Sequence, residues 1–153
     1  MKILRTQLAV TLLLAITACS SSRMKNPSAI GIVPLLQYSA QNVSVKADTT
    51  YQVIQDATTF HASFAASSTA RKPNFDGQMV VTILTKQLPS QAFRFTRAEV
   101  AGKTVNVYAQ SCQRDADSTC EKSSVVMAAI PKVGSARSVQ FFVNNQPKEL
   151  VSW

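Results

Sequence analysis

Along residues 42–145 the spacing of hydrophobic and polar positions repeatedly falls into the two-residue period of strands. NVSVKA (42–47) alternates, DTT can turn, and YQVIQ (51–55) alternates again. The period then changes in DATTFHASFAASS (56–68), where Asp56 suits a helix N-cap and Phe60 and Phe64, four apart, share one face of a short helix. After SSTARKPN, strand signals dominate. GQMVVTILTK (77–86) is a continuous apolar run suited to a buried strand. QAFRFTRAEV (91–100) alternates with Phe93 and Phe95 inward and Arg94 outward, and KTVNVYAQ (103–110) alternates Val105 and Val107 with Asn106 and Tyr108. LPSQ and AGK supply turns, and SVVMAAIPK and ARSVQFFVNN predict two further strands joined through KVGS. The pattern predicts a single α+β domain over residues 30–153, mostly antiparallel β-sheet with one short helix near its start.

Upstream, SSSRMKNPS (20–28) is polar and aperiodic, and residues 19–29 read as a flexible tether. AIGIVPLLQY (29–38) is too apolar for a free linker, and Pro34 excludes a helix interior or a central strand. An edge strand packed on the domain is expected; the alternative is a segment that docks on another protein.

The first eighteen residues are of another kind. Lys2 and Arg5 precede an uncharged apolar run from Leu8 to Ala18, too short for the roughly 20 residues that span a bilayer. A basic start, a short apolar core and small residues at its end describe an export signal. Ile16-Thr17-Ala18-Cys19 resembles the lipobox of bacterial lipoproteins. That resemblance implies cleavage before Cys19, a diacylglycerol on its sulfur and acylation, commonly with palmitate, of the new amino group. Ser20 in the following position, in place of the aspartate that retains such proteins at the inner membrane, implies the periplasmic face of the outer membrane.

Export changes how charge and cysteine content are read. The whole chain carries +8; without residues 1–18 the balance is 14 basic against 8 acidic residues, or +6. Nucleic acid is the wrong partner for an exported chain with dispersed basic residues, whereas anionic lipid or cell-wall polymer attracts it by charge. With Cys19 assigned to lipid, Cys112 and Cys120 remain in QSCQRDADSTCE, where oxidation closes a short loop. Asp115, Asp117 and Glu121 in that loop lack the turn glycine and ligand spacing of a calcium loop, and the single histidine, His61, lies far from both cysteines, so no metal site is expected. His61 reads as a surface or boundary residue of the helix. With no nucleophile motif, phosphate loop or metal cluster, the sequence points to no enzyme, cofactor or small-molecule substrate.

RKPNFDGQMVVTIL (71–84), the Pro89 turn, Phe93, KTVNVYA and VVMAAIPK together resemble the C-terminal domain of PrcB, a bacterial protease-complex subunit family, over roughly residues 51–143. The matching positions are Pro73, Phe75, Asp76, Phe93, Ile130, Pro131 and Lys132; Ser90-Gln91-Ala92-Phe93 departs from the glycines and tyrosine that the family carries after its turn proline. The resemblance implies a noncatalytic module that binds or stabilises an envelope protein. Pro89, Ser90, Gln91, Phe93, Arg94 and Arg97 are the expected contact residues, through that turn or a sheet edge. A second expectation is a structural envelope lipoprotein whose basic residues, Arg94, Arg97 and Lys103 among them, meet lipid headgroups or cell-wall polymer.

Overall fold

The computed structural model describes residues 27–45, 47–86, 92–112 and 123–153. They form eleven strands and one helix: β1 (Ser28–Ile30), β2 (Val33–Leu35), β3 (Tyr38–Ala40), β4 (Thr49–Ile54), α1 (Ala57–Ser63), β5 (Phe64–Ala66), β6 (Gln78–Thr85), β7 (Ala92–Ala101), β8 (Thr104–Cys112), β9 (Val125–Pro131), β10 (Ser138–Val143) and β11 (Gln146–Ser152). The fold is therefore mostly β with a single short helix. In place of one sheet there are two main ones, ordered β1-β7-β8-β10-β11 and β2-β9-β6-β4, with a separate β3-β5 pair. All pairings are antiparallel except β8 with β10.

The two main sheets face each other across one core and the second sheet carries another on its far side. Val81, Ile83, Val126, Ala128 and Ile130 of β6 and β9 meet Phe95, Val105, Val107, Val139 and Phe141 of β7, β8 and β10. The alternate residues of the same strands, Val80, Leu84, Val125, Met127 and Ala129, meet Leu35, Tyr38, Phe60 and Phe64. β6 and β9 are thus covered on both faces, which is the physical reason their sequences are unbroken apolar runs rather than alternating ones.

The helix layer is fixed by local chemistry. The Asp56 side chain accepts the Thr59 backbone N–H at 2.8 Å and the Thr59 hydroxyl at 2.9 Å, capping α1, and these bonds hold its carboxyl below the ordinary range. Phe60 is fully buried, its ring centroid 5.2 Å from Tyr38, 5.6 Å from Phe64 and 5.4 Å from Phe75. Phe64 shares that core but not the helix: its extended backbone (φ −133°) ends α1 and starts β5.

Several expectations are corrected by what packs where. Ser28 and Ala29, read as tether from their composition, pair with Val100 and Glu99, so the folded domain begins two residues before Ile30. AIGIVPLLQY forms two edge strands: β1 closes on β7 of the first sheet, the chain crosses at Gly31 and Ile32, and β2 closes on β9 of the second. Pro34 sits within β2, where an edge strand needs no outward N–H. Residues 42–45 alternate without forming a strand; Val43 and Val45 pack on the second core, and Asn42 donates to the Ala62 carbonyl. β9 and β10 lie in different sheets, β10 running parallel to β8. β11 follows a two-residue turn in which Asn144 and Asn145 have φ of 52° and 61°, the left-handed pair of a type I′ hairpin.

Candidate functional site

Strand polarity sorts the molecule into two poles. Ser28 lies beside Val100, just before the Gly102-Lys103 turn that joins β7 to β8. Thr104 pairs with Ser138, and Ser138 with Ser152, so the starts of β8 and β10 and the end of β11 share this pole. Lys132 donates its backbone N–H to Gly77 at 2.9 Å, bringing the end of β9 and the start of β6 to the same pole. The ends of β6 and β8 and the starts of β7 and β9 lie at the other, about 33 Å away over the ten residues of β7.

At that second pole an apolar cleft of about 260 Å³ opens between the sheets, lined by Pro34, Leu36, Phe93, Phe95, Val126 and Met127, with Arg94 at its wall. Leu36 is 53% exposed beside it, whereas Phe95 is 7% exposed and Phe93 packs on the inter-sheet core. The cleft has a backbone edge as well as side chains. β1 pairs only with Ala98–Val100 of β7, and among the described residues no strand pairs with the same edge of β7 from Ala92 to Arg97.

Phe93 and Arg94 are therefore brought to one cleft, and Arg97 is not. Thr96 is an extra residue in β7, since Phe95 pairs with Ala109 and Arg97 with the adjacent Tyr108. This bulge keeps Ala98 in the core and puts Arg97 on the outer face of the first sheet. There its guanidinium stacks on the Tyr108 ring at 3.3 Å and donates to Glu99 at 2.8 Å, while Tyr108 donates to Glu99 at 2.6 Å and stacks on Phe142 at 4.6 Å. The hydroxyl and Arg97 hold the Glu99 carboxyl below its ordinary range; burial, then Glu99, pushes the Tyr108 phenol up. Both faces of the Tyr108 ring are occupied, so this row is a cross-strand brace rather than an open aromatic platform.

Pro89, Ser90, Gln91, Cys19, Cys120, Asp115, Asp117 and Glu121 lie outside the described residues. Cys112, at the end of β8 on the cleft pole, is disulfide-bonded. His61 is exposed on α1, its ring against the edge of Phe60. Among the described residues no group of three or more His, Cys, Asp or Glu side chains could hold a metal ion, and no helix is long and apolar enough to cross a membrane.

Cleft residues Pro34, Leu36, Val126 and Met127 were not expected from sequence. The one signal was the surplus of apolar residues around Pro34. Pro73, Phe75, Asp76, Ile130, Pro131 and Lys132 form part of the opposite pole: the Lys132 ammonium donates to the Phe75 carbonyl, tying the turn before β6 to the end of β9. Searches of family models, curated proteins and solved structures find no match to this chain.

Proposed function

We propose that the protein is a lipoprotein held at the periplasmic face of the outer membrane through Cys19, and that it is a noncatalytic module binding another envelope protein. The observation that carries this reading is the apolar cleft between β2, β7 and β9, at the pole opposite the point where the chain from Cys19 enters the fold. An apolar segment of the partner seats its side chains in this cleft against Leu36, Phe93 and Met127. The resemblance to PrcB points the same way, toward binding rather than chemistry. Cys112, at the same pole, is disulfide-bonded, which supports an oxidising compartment, and Cys120 is the partner the sequence offers.

The test is isolation of the protein from crosslinked envelopes, wild type against Leu36→Asp. Leu36 is exposed, so the charge is tolerated by the fold but not by an apolar partner segment. Recovery of one stoichiometric protein with the wild type and its loss with Leu36→Asp is the expected result. Absence of a partner for the wild type, or a partner indifferent to the substitution, overturns the reading.

A further inference from the structure

The pole opposite the cleft is where the chain leaves the fold toward Cys19, and its surface has a composition of its own. Ser28 follows Cys19 by nine residues, which extended reach about 30 Å at most. A lipid on Cys19 therefore keeps this pole close to the bilayer. Three basic side chains converge here from three turns. Lys103 is exposed at the tip of the β7–β8 turn, where Gly102 has φ 64°. The Arg137 backbone N–H bonds to the Lys103 carbonyl at 2.8 Å, and the Arg137 side chain donates to the carbonyls of Gly134 at 3.0 Å and Ala136 at 2.7 Å, which fixes its charge at the pole. Lys132 is exposed at the end of β9. Trp153, whose backbone N–H bonds to the Arg137 carbonyl at 3.2 Å, is 45% exposed, and with Lys132, Val133 and Arg137 it lines a shallow hollow of about 210 Å³. Of the acids at this pole, Asp76 belongs to the turn before β6, and Asp56, in the helix cap, lies near enough to Lys132 for that cation to help hold its carboxyl down, so the charge of Lys132 is partly met within the fold.

We propose that this pole is a second membrane contact, in which Lys103 and Arg137, with Lys132 beside them, meet the phosphates of anionic phospholipids and Trp153 inserts at headgroup level. The inference rests on the anchor at Cys19 proposed above, because the anchor is what presents this pole to lipid. A basic patch supplements an acyl anchor through the negative surface potential of the leaflet, and an amphipathic indole suits the interface. The cleft then faces away from the membrane, toward the partner.

The chain contains one tryptophan, so its emission reports this contact alone. A lipid-free chain starting at Ser20 retains every described strand pairing and both cores, and is mixed with phosphatidylcholine vesicles with and without phosphatidylglycerol. Trp153 emission is expected to shift to the blue and to become shielded from iodide only with phosphatidylglycerol, and the shift is expected to fade with added salt. Lys103→Gln weakens vesicle binding about fivefold, while Lys86→Gln at the cleft pole leaves it unchanged. An unshifted Trp153, equal effects of Lys103→Gln and Lys86→Gln, or retention by purified cell wall without vesicle binding overturns the inference. Those results leave lipidation of Cys19, read separately from the mass of the mature chain, standing. A chain that binds vesicles but carries no lipid at Cys19 overturns the anchor and with it the orientation inferred here.

Discussion

Thr82 lies at the centre of β6 with its side chain fully buried, and its hydroxyl has no hydrogen-bond partner among the described residues. It sits on the helix side of the second sheet, between Gln52 of β4 and Met127 of β9. A buried hydroxyl without a partner has lost its water and gained nothing, at a cost of about 1–3 kcal/mol. Valine has the same branched shape without the polar atom. Thr82→Val is therefore expected to stabilise the fold by about 1–2 kcal/mol, which in a domain of this size raises Tm by about 3–8 °C. Thr82→Ser is the counterpart: it keeps the hydroxyl, removes the methyl, and is expected to destabilise by about 1 kcal/mol. Urea titration of the oxidised protein reads both as shifts of the midpoint at constant slope. If Thr82→Val destabilises as Thr82→Ser does, the hydroxyl has a partner, such as a buried water, and the reasoning fails.

Other substitutions probe the remaining layers. Phe60→Ala removes the ring on which Tyr38, Phe64 and Phe75 converge and is expected to cost about 3–5 kcal/mol in the same titration. Asp56 is held below its ordinary value of 3.8 in the fold, so its contribution is complete above that pH and is lost as pH falls through the lower folded value. Asp56→Asn keeps a cap acceptor without the charge, and the acid dependence of the urea midpoint below pH 3.8 is expected to flatten. Replacing Cys112 and Cys120 together by serine is expected to cost about 2–3 kcal/mol, the chain-entropy value for so short a loop, and two alkylatable thiols in the untreated, oxidised protein would refute the pairing.

Much of this fold was legible where one face of a strand is buried. β7 and β8 alternate as expected because their outer face meets solvent, and Asp56 marks the start of α1 because an N-cap is a local interaction. β6 and β9 read as apolar runs, yet that pattern alone does not say that a second core covers them. Val43 and Val45 show the converse: they alternate because every second residue reaches the helix layer, with no strand to pair. β11 was hidden because Pro147, Lys148 and Glu149 protect its edge with polar residues, leaving the Asn144-Asn145 turn as its clearest mark. Phe93 and Arg94, singled out from their place beside a turn, lie at the cleft. Arg97 was grouped with them because a one-residue bulge at Thr96, which turns it to the other face, leaves no trace in residue type. The cleft itself is built from β2, β7 and β9, segments far apart in the chain, and could only emerge from their pairing.

Photo-crosslinking in intact cells tests most directly whether opposite poles of this sandwich do different work. A photoreactive residue is placed at Leu36 in one strain and at Trp153 in another. Leu36 is expected to yield a single crosslinked envelope protein and Trp153 to yield phospholipid. Protein crosslinks of equal strength from Trp153, or none from Leu36, would contradict a membrane-facing pole paired with a partner-binding one.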